Sequence, residues 1–179
     1  MRVHLTIIAL VLSFANAFAQ DLKPSFESYA RLGEYLGRNG GKWVATNPNY
    51  DSTQKYSAYE FEMNFFWDTE RLMLWDSVTV RFKGLDYLSW ISTWRWHPGM
   101  KEVEYTSHGP EGRLISGITR ITNDTTFITT DKLFQPDGQF KELKDENFIV
   151  SENTHRNISY EKKDGKWEVQ GSYVWKRKS

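Results

Sequence analysis

The chain has 179 residues with 23 basic and 23 acidic side chains, a formal net charge of zero. That balance excludes a dedicated nucleic-acid or anionic-membrane binder, which draws its affinity from an excess of Lys and Arg. The absence of cysteine excludes disulfides, thiolate nucleophiles, Cys-type zinc sites and iron–sulfur clusters.

The amino terminus reads as a secretory leader. Arg2 supplies the positive start, Leu5 to Phe14 an apolar stretch and Ala17-Phe18-Ala19 a small-residue cleavage site. A membrane anchor needs about 20 apolar residues, and Asn16, Gln20 and Asp21 interrupt sooner. Cleavage after Ala19 leaves residues 20–179 as one domain, periplasmic or secreted, with no later apolar stretch to span a membrane. Without disulfides, such a domain depends on its core alone.

Ser25 to Leu36 is the one predicted helix. Ser25 is placed to cap its first N–H groups, and Gly37 to take a left-handed turn at its end. Phe26, Tyr29, Ala30, Gly33 and Leu36 fall on one face.

Beyond Gly41 the hydrophobic period becomes two. Tyr59, Phe61, Met63 and Phe65 alternate with Glu60, Glu62 and Asn64, a half-buried strand. Further strands are predicted over 71–82 (Leu72, Leu74, Val78, Val80 and Phe82 on one face) and 87–96 (Leu88, Trp90, Trp94 and Trp96 on one face). Val103 and Tyr105 mark a short strand, and others follow over 114–122, 127–134, 140–150 (read as strand, with a helix over its Lys141–Asn147 stretch as the alternative) and 154–160. The last carries Trp167, Val169, Tyr173 and Trp175. Turns such as His97-Pro98-Gly99, Pro136-Asp137-Gly138 and Lys163-Asp164-Gly165 separate them. The fold class is therefore all-β, an antiparallel up-and-down barrel of about ten strands preceded by one short helix. Closure is the simplest way for so long a meander to remove its exposed edges, and a two-sheet sandwich is the alternative.

Gly41-Lys42-Trp43, which opens the first strand directly after the helix, resembles the G-x-W start of the lipocalins. At the other end Arg177 shares a strand face with Trp175. The resemblance to calycin barrels implies that Arg177 lies over Trp43 and seals one end, a contact in which a guanidinium gains about 0.5–2 kcal/mol on an indole face. The layout of leader, helix, G-x-W, strands and terminal W-K-R-K is most similar to a group of uncharacterised exported bacterial calycin-like proteins. That group is distant in shape from the fatty-acid-binding proteins and the haem-binding nitrobindins. The lipocalin disulfides and a helical lid after the first strand are absent from the pattern.

Within a barrel of this width, Trp90, Trp94, Trp96 and Tyr105 are the candidate walls of a ligand cavity. Plain core filling is the competing reading. Asp76 stands in phase with Leu72, Leu74, Val78 and Val80, so a regular strand points it inward. It is either a polar handle for a ligand, a general acid or base, or a carboxylate paired with Arg81, Arg95 or Arg120. His155 is the one residue placed even loosely for the haem-ligating role that a nitrobindin resemblance implies. An exposed strand histidine is the alternative.

The histidines have no metal-ligand spacing, and neither a G-x-S-x-G elbow nor a phosphate loop is present. No cofactor or metal is implied. The leading expectation is a non-enzymatic exported barrel that holds a small hydrophobic or amphipathic molecule. The alternatives are an enzyme using Asp76 or His155 on a hydrophobic substrate, and a solid barrel that docks another envelope protein.

Overall fold

The computed structural model describes residues 25–53 and 58–178. The predicted leader therefore lies outside the described residues. Helix α1 spans Phe26–Gly37 and is followed by a 3-10 turn over Arg38–Gly40. Ten strands follow: β1 Lys42–Thr46, β2 Glu60–Asp68, β3 Met73–Phe82, β4 Leu85–His97 and β5 Glu102–His108. The rest are β6 Leu114–Asn123, β7 Thr126–Phe134, β8 Phe140–Ser151, β9 Thr154–Lys163 and β10 Lys166–Arg177. Each pairs antiparallel with its neighbour in sequence, and β1 pairs with both β2 and β10, closing the barrel. Among the described residues no helix is long and apolar enough to cross a membrane.

Helix α1 covers the end of the barrel that carries the β2–β3, β4–β5, β6–β7 and β8–β9 turns. Ser25 caps it, accepting a hydrogen bond from Ser28 N at 3.1 Å. Tyr29, Leu32, Gly33 and Leu36 form its buried face, so Leu32 joins it while Ala30 is half-buried. Gly33 is required by contact: a Cβ there would lie 2.3 Å from Cε3 of Trp67. The helix is stitched to the sheet by Tyr29, whose hydroxyl donates to the carbonyl of Trp94 and accepts from Leu74 N at 3.1 Å. Arg31–Asp124 and Arg38–Glu152 ion pairs, each at 3.0 Å, tie its outer side to two turns.

The left-handed residues after the helix are Asn39, Gly40 and Gly41, not Gly37, whose φ is −82°. Gly41 has φ 65°, and a Cβ on it would fall 1.8 Å from the carbonyl oxygen of Phe65. This close approach lets the chain enter β1 beneath the helix and explains the glycine of the G-x-W motif. Trp43, fully buried, donates from Nε1 to the carbonyl of Leu36 at 3.0 Å.

Three expected faces are corrected by irregularities in the ladder. Leu72 sits in the β2–β3 turn with φ 51° and is exposed, off the inward face. A bulge leaves Ser89 unpaired, because Val78 pairs with Trp90 and Thr79 with Leu88. Leu88 is thereby turned outward, away from the face it was expected to share with Trp90. In β10 a second bulge at Gln170 separates Val169 from Gly171. It puts Trp167 and Val169 on the outer face while Tyr173 and Trp175 point inward. Each such extra residue reverses the alternation on one side of itself.

Candidate functional site

The barrel interior holds a cavity of about 270 Å³, near the small end of the range of about 300–1,000 Å³ typical of ligand sites. Leu36 of the helix belongs to its lining. The rest divides by strand. Phe61, Met63 and Phe65 of β2, Val78 of β3, Trp90 and Trp94 of β4, Tyr105 of β5, Phe127 at the start of β7, and Tyr173 and Trp175 of β10 form an aromatic and apolar wall. Thr129, Asp145, Asn147, Asn157 and Ser159, from β7, β8 and β9, form a polar one, with His155 between the two near the helix.

The period-two alternation places these side chains. On β8, Leu143, Asp145, Asn147 and Ile149 point inward while Lys144 and Glu146 pair with each other on the outside at 2.7 Å. Directly across from Asp145 stand Thr129 and Ser159. Asp145 Oδ1 accepts hydrogen bonds from Asn157 Nδ2 at 2.9 Å and from the Ser159 hydroxyl. Burial pushes the Asp145 carboxyl above its ordinary range, and those two donors act against it.

Asp131, 6% exposed, is a second inward carboxyl on β7. Gly117 lies opposite it on β6, where a Cβ would approach Asp131 Cβ to 2.3 Å. Its Oδ1 has no hydrogen-bond partner among the described residues. Burial, and secondarily the charge of Asp145, raises its pKa to about 8.

Asp76 points inward as its phase predicts, but it is not a free handle. Its two oxygens are taken by neighbours on β4: Ser92 Oγ donates to Oδ1 at 2.9 Å and Trp94 Nε1 to Oδ2 at 2.6 Å. It stands behind the lining rather than in it. Burial raises its pKa to about 6 against those two donors. None of the proposed arginine partners reaches it: Arg81 pairs with Glu60 and Asp86, Arg95 with Glu104 and Arg120 with Glu102. Its effect is to hold the Trp94 ring, which lies edge-on to Tyr105 at 4.9 Å and to Phe127 at 6.1 Å. Ser92 Oγ also lies 3.0 Å from Ser107 Oγ and 3.4 Å from the Tyr105 hydroxyl. Burial, reinforced by Asp76, pushes the Tyr105 phenol well up, so it stays protonated.

Trp90, Trp94 and Tyr105 all line the cavity, whereas Trp96 lies outside it. The Trp96 ring stacks on Tyr29 at 6.4 Å and meets Phe26 at 6.3 Å, so it serves the helix and not the cavity. His155 is neither exposed nor charged. It is 3% exposed, with its ring 4.8 Å from Trp43 and stacked 5.9 Å from Trp175. Burial, then the charge of Arg177, lowers its pKa to about 3, and its Nδ1 has no partner among the described residues.

At the closure, Trp43 pairs directly with Arg177 across β1 and β10. The guanidinium carbon sits 4.1 Å from the Trp43 ring and 5.5 Å from Tyr35. Its terminal nitrogens donate to the carbonyls of Arg38 at 2.6 Å, Tyr35 at 2.7 Å and Glu152 at 3.1 Å. One side chain thus fastens the helix C-terminus and the β8–β9 turn over the first tryptophan.

Among the described residues no three His, Asp or Glu side chains converge to hold a metal ion. Sequence reasoning missed Asp131, Asp145, Asn147, Asn157 and Ser159. The signal available was the inward run Leu143-Asp145-Asn147-Ile149, apolar at its ends and polar in its middle, and the parallel run Phe127-Thr129-Asp131-Leu133. No family model matches the chain, and no curated protein matches it in sequence.

Proposed function

We propose that this protein is an exported calycin-like barrel that binds one small amphipathic molecule inside its cavity. The observation that carries the reading is the division of the lining: an aromatic wall from β2–β5 and β10 faces a wall of Asp145, Asn147, Asn157 and Ser159. A molecule with an apolar body and a polar end gains burial on the first and hydrogen bonds on the second. Trp90, Trp94 and Tyr105 are the aromatic contacts, His155 is a neutral polar contact, and Asp76 acts through Trp94. The guanidinium of Arg177 over Trp43 supports the calycin resemblance, and the leader-like amino terminus supports a periplasmic or secreted location.

Titration with N-phenyl-1-naphthylamine, a neutral amphipathic fluorophore excited by energy transfer from tryptophan, tests the reading. Saturable transfer at one site per chain, displaced by 4-phenylbutanol, is the expected result. A signal that rises without saturation, as for partition into unfolded protein, would overturn it.

A further inference from the structure

Asp76, Asp131 and Asp145 stand on inward strand faces, and they are not equally satisfied. Asp76 has donors on both oxygens. Both hydrogen bonds that Asp145 makes among the described residues fall on Oδ1, leaving Oδ2 for something else in the cavity it lines. Asp131, more than nine-tenths buried, has an oxygen with no partner. In the register Asp131 pairs with Leu143 and Thr129 with Asp145, so the two acids are diagonal neighbours, about 7–8 Å apart along the sheet and within side-chain reach of one another.

Among the described residues no Lys or Arg lines the cavity. Lys144–Glu146 and Lys162–Glu142 pair on the outer face, while Lys141, in phase with Asp145 but with its side chain half exposed, is already paired with Glu161 at 3.2 Å. Two adjacent inward carboxyls with no counter-charge are costly to ionise together, so one keeps its proton unless something cationic joins them. Asp131 stands beside Asp145 but is not itself a lining residue, whereas a second orphan does line the cavity: His155 Nδ1, on a ring 3% exposed. Of the groups at the polar wall without a partner among the described residues, Asp145 Oδ2 is an acceptor and His155 a neutral imidazole, while the Asn147 amide can turn either its oxygen or its N–H groups toward a ligand.

Resting on the binding reading above, we infer that the polar end of the ligand is a protonated amine. It is held by Asp145 with Asp131 beside it, while its apolar body lies along Trp94, Phe127 and Tyr173. An ammonium group brings both the missing charge and N–H donors for carboxylate and amide oxygens. The indole and phenol faces opposite also favour a cation. A carboxylate-ended amphiphile such as a fatty acid meets repulsion at the same place. Among the described residues a bare metal ion finds no converging set of ligands.

The test is calorimetric titration at pH 7 with three molecules sharing one body: 4-phenylbutylamine, 4-phenylbutanol and 4-phenylbutyrate. The amine is expected to bind at least tenfold more tightly than the alcohol, and the carboxylate to bind more weakly than both. Asp145→Asn should weaken the amine at least tenfold more than it weakens the alcohol, with an unchanged near-UV circular dichroism spectrum reporting that the variant is folded. Asp131→Asn should weaken the amine to a lesser degree in the same direction. Equal affinity of amine and alcohol for the unaltered protein overturns the amine assignment while leaving the amphipathic cavity standing. Binding of none of the three overturns both.

Discussion

Replacing Asp131 by Asn should make the protein more stable at neutral pH, by an amount that depends on pH in a definite way. The acid is 6% exposed, with Oδ1 unpartnered, and its pKa rises from 3.8 to about 8 on folding. A group whose folded pKa is raised gives its full stability below the unfolded pKa and loses it as pH climbs through the folded one. For Asp131 that window runs from about pH 4 to about pH 8. Each pH unit inside it costs about 1.4 kcal/mol, so the protein carries a penalty of about 4 kcal/mol at pH 7 relative to pH 4. Asparagine has nearly the shape of the protonated acid and does not titrate. Urea unfolding of the two proteins should therefore give similar midpoints at pH 4 and a gain for Asp131→Asn that grows to about 4 kcal/mol at pH 7. In thermal melts this corresponds to roughly 8–16 °C for a domain of this size. A difference that stays constant with pH, or a variant less stable at pH 7, would refute the assignment of Asp131 as an uncompensated buried acid.

His155 shifts in the opposite sense. With its pKa lowered from 6.5 to about 3, its contribution is present above pH 6.5 and declines as pH falls toward 3. Ring nitrogen shifts in an NMR titration should accordingly show a neutral imidazole down to about pH 4, and a midpoint near 6.5 would contradict its burial between Trp43 and Trp175. Arg177→Lys keeps the charge but loses the planar stack and the fan of carbonyl contacts, so guanidinium-chloride unfolding should report a loss of about 2–3 kcal/mol. An unchanged midpoint would mean that the closure does not depend on this side chain. Gly41→Ala forces a Cβ against the Phe65 carbonyl at a positive φ and should cost about 3 kcal/mol or more, read as a lowered Tm. A variant melting with the unaltered protein would show that β1 does not enter as described.

The barrel was legible in the sequence because its two ingredients are local. Strands such as Glu60–Asp68 show clean alternation, and turns such as Pro136-Asp137-Gly138 announce themselves by residue type. The bulges at Ser89 and Gln170 were not legible, since neither residue differs from its neighbours in any way that marks an insertion. They reversed the faces assigned to Leu88, Trp167 and Val169. The polar wall was hidden for a different reason. In Lys141 to Asn147 both faces carry charge, so an inward Asp145 looks the same as the outward Lys144 and Glu146 beside it until the barrel curvature separates them. Asp76 stood out because its flanking in-phase residues are apolar, yet nothing local foretold that Trp94 and Ser92 would occupy both its oxygens. Trp96 lies one inward strand position beyond Trp94, too close to the helix, a distinction that depends on where α1 docks.

Native mass spectrometry of the protein purified from cells of its own host tests the central claim most directly. The account predicts that a fraction of the chains carries one small non-covalent adduct, of a mass fitting an amine with an apolar body, released when the barrel is unfolded. A spectrum containing only the bare chain in every charge state would contradict it.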